Sequence, residues 1–482
     1  MRYLMRRVRR LTAVLATALA AAVFPVTGPV HAHGDRDRPA GPEANAADPA
    51  DNGVAGHGTA RGSSPRQTRP NVLMVVLDDA RPETMAALPQ TMAWLGDGTV
   101  YPNAVAATPS CGPSRATLLS GRYAHNHGVL HQADVGNLDH TRTLEHALHT
   151  AGYATAAVGK FTNNWALEQT PPGFDHSALV GGGYTNARFM VDGKQRRVPY
   201  STTFIGQQVN TYLDGFEADD DKPWFVYAGF TAPHAPWIPE PQYAARTFAW
   251  NPSPAVGEAD RSDKPEYVRH HVAGRAEGDV IRLGQLRTLL SVDDALARVR
   301  EHLDRLGERQ DTLVVLVSDN AKFWGEHGLD EKFMPYAAAY RVPLFLSWPG
   351  RIRPGVDERL ASTVDVTPTV LAAAGLTAGY LLDGHDLRGG VRRAATLLEY
   401  WQDSHNGGFS TWASRVAPGE RQFTRYVDLA GKLISQEYYD LAADPWELVN
   451  LLGDADPGND PDVTADAASL ADWQRCAGQT CP

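Results

Sequence analysis

Four short and nearly continuous apolar runs constrain the fold of this chain more than any other feature of its sequence. They span residues 72–77, 224–230, 312–318 and 342–348. A strand has this composition when both of its faces are buried, as in a parallel sheet covered by helices. Amphipathic helical patterns lie between and after the runs, over residues 143–151, 281–306 and 367–374. Strands that alternate with helices predict an α/β domain built on a large, mostly parallel sheet.

The N-terminal part of the chain differs from this alternating region. Residues 1–32 combine an arginine-rich start, a short Ala-rich apolar run and an Ala-x-Ala-like cleavage site at 30–32. This pattern predicts a signal peptide; the alternative, a membrane anchor, would need a longer apolar run. Residues 33–70 are rich in Gly, Pro, Ala, Asp and Arg without apolar periodicity, which predicts a disordered linker. We therefore expect a secreted protein, exported by a Sec or twin-arginine route, without stable membrane insertion after signal removal.

The pattern changes again after the last helix. Short strands are expected at 421–427 and 432–439 as an antiparallel pair, followed by a turn and a closing helix. This arrangement predicts a large α/β domain over residues 71–375. A smaller α+β subdomain with a short antiparallel sheet is predicted over residues 376–482.

The three cysteines of the chain have two different contexts. Cys476 and Cys481 lie close together at the C-terminus and, in an exported protein, are expected to form a disulfide. That pairing leaves Cys111 free, ahead of Gly-Pro-Ser-Arg at the start of an apolar helix. A helix N-terminus and Arg115 one turn along favour anionic chemistry at Cys111, whereas the alternative is an inert buried thiol. A thiolate hydrolase would need a histidine partner and would not use hard metal ligands.

Two of the apolar runs end in polar pairs. Asp78 and Asp79 follow the first run, and Asp319 and Asn320 follow the third. The carboxyl ends of parallel strands form the ligand-binding edge of an α/β sheet, so the pairs are expected to meet. Three carboxylates and an amide oxygen suit Ca²⁺ or Mg²⁺ rather than zinc. The alternative for either pair alone is a capped turn or helix start.

Net charge limits the partners of the chain. The formal net charge at pH 7 is −11. A nucleic-acid partner would require a basic surface, so none is expected. Local arginines and lysines can still bind an anionic substrate.

One segment carries a resemblance to a known family. Residues 111–115, Cys-Gly-Pro-Ser-Arg, followed by Leu-Leu-Ser-Gly-Arg at 118–122, resemble the sulfatase signature, in which the cysteine is oxidised to formylglycine (3-oxoalanine). Further segments resemble the family's motifs in the same order, at 78–79, 152–160, 232–237, 319–320, 332–344 and 438–448. Smaller details resemble the branch that contains the N-acetylglucosamine-6-sulfatases, at 125–128, 262–265, 291–294 and 325–327.

The resemblance implies a fold, an activity and two cofactors. The fold would be an alkaline-phosphatase-like sandwich, with a mixed sheet between helices and a small C-terminal sheet near the site. The activity would be hydrolysis of sulfate monoesters, either aryl sulfates or sulfated sugars such as N-acetylglucosamine 6-sulfate. One Ca²⁺ would be held by Asp78, Asp79, Cys111, Asp319 and Asn320. A formylglycine-generating enzyme would convert Cys111 during maturation.

The resemblance also implies a mechanism. Hydrated formylglycine is a geminal diol: one hydroxyl attacks sulfur and displaces the alcohol, and the second then expels sulfate and restores the aldehyde. Calcium, Lys160, Lys332 and Arg115 would stabilise charge on the sulfuryl oxygens and the nucleophile. His234, in the Ala-Pro-His-Ala-Pro-Trp segment, is the expected proton donor to the leaving oxygen.

The sequence departs from the family pattern at three positions. Thr162 stands where many sulfatases have His, Ala321 where Gly is usual, and Ala337 where Glu is usual. The base for the second step is therefore open, with His125 and His127 as candidates that could equally pack beneath their loop.

Four other ring-bearing side chains have two interpretations each. His327 is expected either beside the site or at the surface. Trp237, Trp324 and Trp401 either line a sugar-binding pocket or are core and rim aromatics.

Two rival functions are compatible with the same residues. A phosphonate monoester or phosphodiester hydrolase of the superfamily can carry the same cysteine motif. A non-catalytic protein that binds sulfated glycans would use the same scaffold without turnover. The loss of a catalytic residue would favour this second rival, but all of the expected ones are present, namely Asp78, Cys111, Arg115, Lys160 and Asp319.

Overall fold

The computed structural model describes residues 69–218, 222–402 and 409–482. The predicted signal peptide and nearly all of the predicted linker lie outside these described residues. Within the described ranges, the helices are too short or too polar to cross a membrane.

Three sheets organise the described residues. In chain order, the strands are β1 (Asn71–Leu77), β2 (Thr99–Val100), β3 (Ala104–Val105), β4 (Ala154–Gly159), β5 (His176–Val180), β6 (Thr185–Val191), β7 (Lys194–Tyr200), β8 (Trp224–Gly229), β9 (Thr312–Ser318), β10 (Leu344–Ser347), β11 (Gly355–Val356), β12 (Ala361–Ser362), β13 (Thr396–Tyr400), β14 (Thr411–Ala417), β15 (Arg421–Val427) and β16 (Leu433–Asp440). The largest sheet has the order β11-β2-β10-β9-β1-β8-β4-β5-β6-β7. A two-stranded sheet joins β12 to β3, and a four-stranded sheet has the order β13-β14-β15-β16.

The centre of the large sheet is parallel, as the apolar runs predict. β9, β1, β8, β4 and β5 are parallel neighbours, and every residue of β1, β8 and β9 is buried. The fourth apolar run, β10, is instead antiparallel to β9, with Leu344 opposite Val317. The reason is that residues 319–343 remain at the carboxyl edge of β9, so the chain re-enters the sheet from that edge.

Helices cover both faces of the large sheet. The α-helices are α1 (Pro89–Leu95), α2 (Cys111–Ser120), α3 (Ala124–His127), α4 (Leu144–Thr150), α5 (Ser201–Glu217), α6 (Glu266–Arg269), α7 (Arg275–Leu306), α8 (Ala337–Tyr340), α9 (Val366–Ala373) and α10 (Thr464–Trp473). Short 3₁₀ turns lie at Pro82–Ala87, Asp134–Asn137, His140–Arg142, Pro241–Tyr243, Glu308–Asp311, Thr363–Asp365 and Gly478–Thr480. Alternate residues of β1 pack against α5 and α7 on one face and against α2, α4 and α9 on the other. This arrangement confirms the predicted sandwich.

The antiparallel sheet near the C-terminus packs against the loops that follow β9. β15 and β16 form the predicted antiparallel pair, and β13 and β14 extend it. Aromatic side chains of this sheet, Tyr400, Trp412 and Tyr439, share a core with Phe323 and Tyr336. Cys476 and Cys481 are joined by a disulfide.

Candidate active site

Two neighbouring strands bring the polar pairs together at one edge of the large sheet. β1 and β9 are parallel and in register, with Leu77 opposite Ser318, so the residues that follow both strands lie side by side. The backbone amide of Asp79 donates a hydrogen bond to Oδ1 of Asp319 (3.2 Å). Both aspartates and Asn320 are buried.

Asp78 and Asp79 serve the same site although they are adjacent in the chain. Successive side chains of an extended strand point to opposite faces of the sheet. At Asp79 the chain leaves the extended conformation with φ of 71°, in the left-handed region that Asp tolerates better than most residues. As a result, Asp78 contacts Lys160 and Asp79 contacts Lys332 within one cluster.

Cys111 begins α2 directly beside the first aspartate. Its Sγ lies 3.5 Å from Oδ1 of Asp78 and 2.8 Å from Nζ of Lys332. The residue is 1% exposed, and burial raises the pKa of the Cys111 thiol to about 12, against the opposing effect of Lys160 and Lys332. The unmodified side chain is therefore a neutral thiol at physiological pH, which disfavours a thiolate nucleophile.

Two buried lysines balance the charge of the aspartates. Nζ of Lys160 donates to Oδ2 of Asp78 (2.6 Å), and Nζ of Lys332 donates to Oδ1 of Asp79. Burial alone would raise the pKa of Asp78 and Asp79, but these ammonium groups hold both pKa values below the usual range. Burial would lower the pKa of each lysine, but its carboxylate partner raises it. The four groups are therefore charged in the folded protein.

Arg115 lies beneath the cluster and is fully buried. Its Nε donates to Oδ2 of Asp319 (2.8 Å), and its Nη1 donates to the carbonyl of Lys160 (2.8 Å) and to Oη of Tyr227 (3.0 Å). Its Nη2 lies 3.7 Å from Oδ2 of Asp78. Burial together with the charge of Asp78 raises the pKa of Asp319, which Arg115 opposes. The guanidinium therefore ties the ends of three strands, β1, β4 and β9, to the start of α2.

Asn320 presents an oxygen atom that is not hydrogen-bonded to any residue in the described ranges. Its Nδ2 donates to Oδ1 of Asp79 (2.6 Å) and to the carbonyl of Ala321 (2.9 Å). Its Oδ1 is buried and has no hydrogen-bond partner among the described residues. A buried polar atom left unsatisfied costs free energy unless a ligand binds it. Near it, ligand atoms of Asp78, Asp79, Cys111 and His234 all lie within 4.8 Å of one another.

Lys160 is positioned by a close approach of two backbones. Gly159 ends β4 with φ of 87°, and a Cβ atom there would lie 2.0 Å from the carbonyl oxygen of Gly229 on β8. A Cβ at Gly229 would likewise lie 2.0 Å from the carbonyl oxygen of Lys160. Only glycine fits at either position, because both contacts are to backbone atoms.

Gly159→Ala is expected to displace Lys160 and to lower kcat by about a hundredfold, since a small misplacement of a charged group is costly. The measurement is kcat on an aryl sulfate together with the unfolding midpoint. Gly152→Ala is the matched control, because Gly152 also has a positive φ (92°) but a Cβ added there would meet no atom within 4 Å. Equal activity of the two variants would contradict this positioning role.

The antiparallel sheet holds the loop that carries Lys332. The indole Nε1 of Trp412 donates to the carbonyl of Phe333 (2.8 Å), and Oη of Tyr336 donates to Oε1 of Glu437 (2.7 Å). The backbone amide of Ala337 donates to Oε2 of Glu447 (2.9 Å). Burial raises the pKa of Glu447 to about 8, because one backbone amide only partly offsets the loss of solvent.

His234 lies at the open side of the cluster, between two cavities. Its Nδ1 is 2.8 Å from the carbonyl of Ala235, and its Nε2 is 3.8 Å from Oδ2 of Asp79. The carbonyl accepts from Nδ1–H, so Nε2 is the nitrogen that faces the aspartate. One cavity, of about 590 Å³, extends past Lys160 and Trp165. The other, of about 470 Å³, begins at Asp79.

Comparison with protein families identifies the chain. A model of the sulfatase family matches residues 70–376, which is more than half of the chain. The chain belongs to the sulfatase family. It is a hydrolase of sulfate esters, and a second model, for the C-terminal part of N-sulphoglucosamine sulphohydrolase, matches residues 325–460.

Two curated sulfatases illustrate the similarity. The N-acetylglucosamine-6-O-sulfatase of Bacteroides thetaiotaomicron is 25% identical, and the match covers 80% of this chain and 83% of the relative. The extracellular sulfatase SULF-1 homolog of Drosophila melanogaster is 28% identical over 71% of this chain. This chain spans about a third (33%) of the Drosophila protein.

Solved structures share the fold of this sulfatase. A structure in complex with its substrate D-glucosamine-2-N,6-O-disulfate has a TM-score of 0.71 at 22% identity, covering 85% of this chain and 97% of the other. A phosphonate monoester hydrolase of Agrobacterium radiobacter has a TM-score of 0.68 at 23% identity, covering 84% of this chain and 95% of the other. These similarities confirm the alkaline-phosphatase-like fold and leave the substrate open.

Two histidines considered as bases in this sulfatase pack away from the aspartate cluster. His125 contacts Oε2 of Glu399 through Nδ1 (2.8 Å) and the carbonyl of Cys476 through Nε2 (3.1 Å). His127 lies 3.1 Å from Oγ1 of Thr117, and burial lowers the pKa of His127 to about 3. The alternative interpretation, packing beneath the loop, describes both residues.

The His125–Glu399 pair makes a prediction about pH. Burial would lower the pKa of His125, but the hydrogen bond to Glu399 and its charge raise the pKa above the ordinary 6.5. A raised pKa in the folded state stabilises the protein below about pH 6.5, and this contribution is lost as the pH rises through the folded-state value. His125→Gln is therefore expected to lower the unfolding free energy by on the order of 1 kcal/mol at pH 5.5 and by less at pH 8.

Denaturant unfolding at several pH values tests this expectation. His149→Gln is the control, because the pair of His149 with Asp175 (3.4 Å) is about half exposed and weak. A destabilisation by His125→Gln that did not change with pH would contradict the prediction.

Two other aromatic side chains, His327 and Trp324, have partners outside the aspartate cluster. His327 is buried rather than at the surface, with Nδ1 2.8 Å from Oε2 of Glu258. Trp324 is also buried and lies under the guanidinium of Arg81, 4.0 Å from the ring centroid. Trp401 follows β13 and is partly buried, whereas Trp237 lines the cavity that begins at Asp79.

One residue near the site was missed by sequence reasoning. Gln285 on α7 is fully buried, and its Nε2 donates to the carbonyl of Asp79 (2.9 Å). Its Oε1 accepts from Nε1 of Trp324 (2.7 Å). The signal was present in the sequence, since Gln285 interrupts the apolar face of the 281–306 pattern, and a polar residue there requires a buried partner.

Proposed function

We propose that this sulfatase hydrolyses sulfate monoesters of sugars or aryl alcohols, with formylglycine at position 111 and one Ca²⁺. The observation that carries the proposal is the convergence of Asp78, Asp79 and Asn320 around Cys111, with Lys160 and Lys332 in contact. Such a cluster offers fixed positive charge, hard oxygen ligands and one unusual cysteine at a single point.

The donor set fits a calcium ion. Asp78, Asp79 and Asp319 would hold it through carboxylate oxygens, and Asn320 through the buried Oδ1 that has no other partner in the described residues. An oxygen-only set of this kind suits Ca²⁺. When bound, the ion supplies positive charge that polarises a sulfuryl oxygen.

Position 111 would supply the nucleophilic oxygen. The hydrated aldehyde made from Cys111 by a formylglycine-generating enzyme offers a hydroxyl for the attack on sulfur. Lys332 contacts the side chain at this position directly (2.8 Å), so its ammonium group would stabilise negative charge there. Because Lys160 contacts Asp78 and lines the adjoining cavity, it would contact the sulfuryl oxygens.

Arg115 would act differently from the sequence expectation. It is fully buried, and its nitrogens face Asp319, Asp78, Tyr227 and the 160–161 carbonyls. We therefore assign it the positioning of the metal ligands rather than contact with substrate.

His234 would protonate the leaving oxygen. The carbonyl of Ala235 fixes Nδ1, so a proton carried on Nε2 faces the interior of the site. His125 and His127 pack elsewhere, so we assign neither of them as the base of the second step.

Secretion and domain roles belong to the same proposal. The start of the chain, which is rich in Arg and Ala, supports export. The similarity of the chain to an extracellular sulfatase also supports it. We assign catalysis to residues 71–375. Residues 376–482 would support the Lys332 loop through contacts such as Trp412 to Phe333.

Mass spectrometry and substrate comparison test the proposal. A peptide spanning Cys111, taken from protein of the native host, should show the mass of the aldehyde in place of the thiol. Turnover should be faster on a sulfate monoester than on a phosphonate monoester or phosphodiester. The opposite ranking would favour the hydrolase rival, and a fully converted protein that turned over neither class would favour the binding-protein rival.

A further inference from the structure

Trp237 forms one wall of the cavity that begins at the catalytic cluster. The cavity of about 470 Å³ is lined by Asp79, His234 and Trp237. Val280 and Ile281 of α7 line it as well. His234 lines both this cavity and the one past Lys160, so a group leaving from sulfur can enter this space while the sulfuryl oxygens face Lys160.

The indole is held in place by a glycine of α7. A Cβ atom at Gly284 would lie 2.5 Å from Cβ of Trp237 and 2.9 Å from its Cγ. The side chain of Trp237 therefore rests on the helix backbone, and its own backbone adopts φ of 53°. Val280 and Ile281, one turn earlier on α7, continue the same apolar wall. Val280 is 65% exposed and therefore accessible to a ligand, whereas Ile281 is buried.

Charged side chains also line this cavity. Lys322 is neutralised by Glu331, with Nζ 2.9 Å from Oε2. Asp330 and Glu277 also line the cavity. These groups accept hydrogen bonds from hydroxyls, and their net negative charge disfavours a second anionic group on a ligand. In addition, Nε1 of Trp237 is a buried donor without a partner in the described residues.

We propose that this cavity binds the alcohol half of the substrate as an uncharged pyranose ring stacked on Trp237. A pyranose has an apolar C–H face and a rim of hydroxyls, which match the apolar and acidic side chains that line the cavity. Pockets of this kind combine a large aromatic surface with a few polar groups that fix orientation. The inference rests on the proposed sulfatase function and specifies its substrate class: a sugar that carries the scissile sulfate as its single anionic group.

Steady-state kinetics on N-acetylglucosamine 6-sulfate test the stacking. Trp237→Ala is expected to raise KM by roughly three- to tenfold with little change in kcat. Trp237→Phe should retain part of the effect, and Gly284→Ala should raise KM by displacing the indole. The inhibition constant of inorganic sulfate should be unchanged in all three variants, because sulfate contacts the lysines and not Trp237.

Trp165→Ala provides the matched control. Trp165 lines the other cavity beside His234 and donates its Nε1–H to the carbonyl of Gln169 (2.8 Å). The KM of the Trp165→Ala variant for N-acetylglucosamine 6-sulfate should be unchanged. A raised KM in Trp165→Ala with an unchanged KM in Trp237→Ala would overturn the assignment. So would a lower KM for D-glucosamine-2-N,6-O-disulfate than for N-acetylglucosamine 6-sulfate in the unaltered protein.

Binding of the unsulfated sugar separates this inference from the proposed function. Calorimetric titration with N-acetylglucosamine requires no turnover, and Trp237→Ala should weaken that binding by a similar factor. Loss of binding in Trp237→Ala together with no turnover of any sulfate ester would sink the proposed function and retain the cavity assignment. If the unaltered protein turned over sulfate esters normally but bound N-acetylglucosamine no more tightly than Trp237→Ala, the cavity assignment would be overturned and the proposed function retained.

Discussion

Cys111→Ser is expected to lower kcat on a sulfate ester by about a thousandfold or more, with little change in stability. The side chain is buried beside Asp78 and Lys332, so a hydroxyl of similar size fits the same space. Serine Oγ can attack sulfur and displace the alcohol, but it has no second hydroxyl to expel sulfate. The variant is therefore expected to retain a sulfate ester on Ser at position 111 after one turnover.

Two measurements test this expectation together. Multiple-turnover kinetics on an aryl sulfate give the loss in kcat, and a peptide mass spectrum reveals a retained sulfuryl group. Cys111→Ala should lose activity without retaining any group, because it has no oxygen at this position. Ser120→Ala on the same helix is the control, since among the described residues its Oγ bonds only to the carbonyl of Ala116 (2.7 Å). Sustained turnover by Cys111→Ser would contradict the diol mechanism.

Arg115→Met is expected to destabilise the protein by about 3–5 kcal/mol. The substitution leaves the buried carboxylates of Asp78 and Asp319 without their shared cation and the carbonyl of Lys160 without its donor. Arg115→Lys should lose less, because it keeps the charge but cannot reach all of these acceptors at once. Calcium should reduce the difference from the unaltered protein if the ion binds the same carboxylates.

Denaturant unfolding with and without calcium measures this effect. Arg300→Met is the matched control, because Arg300 and Asp304 form an exposed i,i+4 ion pair (3.8 Å). Such a pair contributes only ~0.5 kcal/mol to the free energy of unfolding. If Arg115→Met were as stable as Arg300→Met, the buried ion pairs would not hold the strand ends together. A destabilisation that calcium does not reduce would mean that the ion binds elsewhere.

The central strands that sequence reasoning placed correctly have one feature in common. β1, β8 and β9 are buried on both faces, so their composition alone distinguishes them from amphipathic helices. The helix predicted at 281–306 exists but begins earlier, at Arg275, because its first turn is polar and exposed. The hairpin of β6 and β7 lacks a regular apolar alternation and was not predicted, since its residues are largely exposed.

The site shows the same division between local pattern and long-range contact. The proximity of Asp78 to Asp319 could be expected, because parallel strands end at one edge of a sheet. The close packing of Gly159 against Gly229 could not, because no local signal indicates which backbones approach each other. The true surroundings of His125 were also undetermined, since its partners Glu399 and Cys476 are far away in the chain.

The amino-acid sequence alone determined the α/β class, the acidic strand ends and the unusual Cys111, because hydrophobic periodicity and local motifs encode them directly. The tertiary structure alone decided the left-handed turn at Asp79, the burial of Arg115 and the packing of Trp237 on Gly284. Each of these depends on contacts between segments distant in the chain. The physical reason is that burial and close packing are properties of the assembled core, and no short stretch of sequence specifies its distant neighbours.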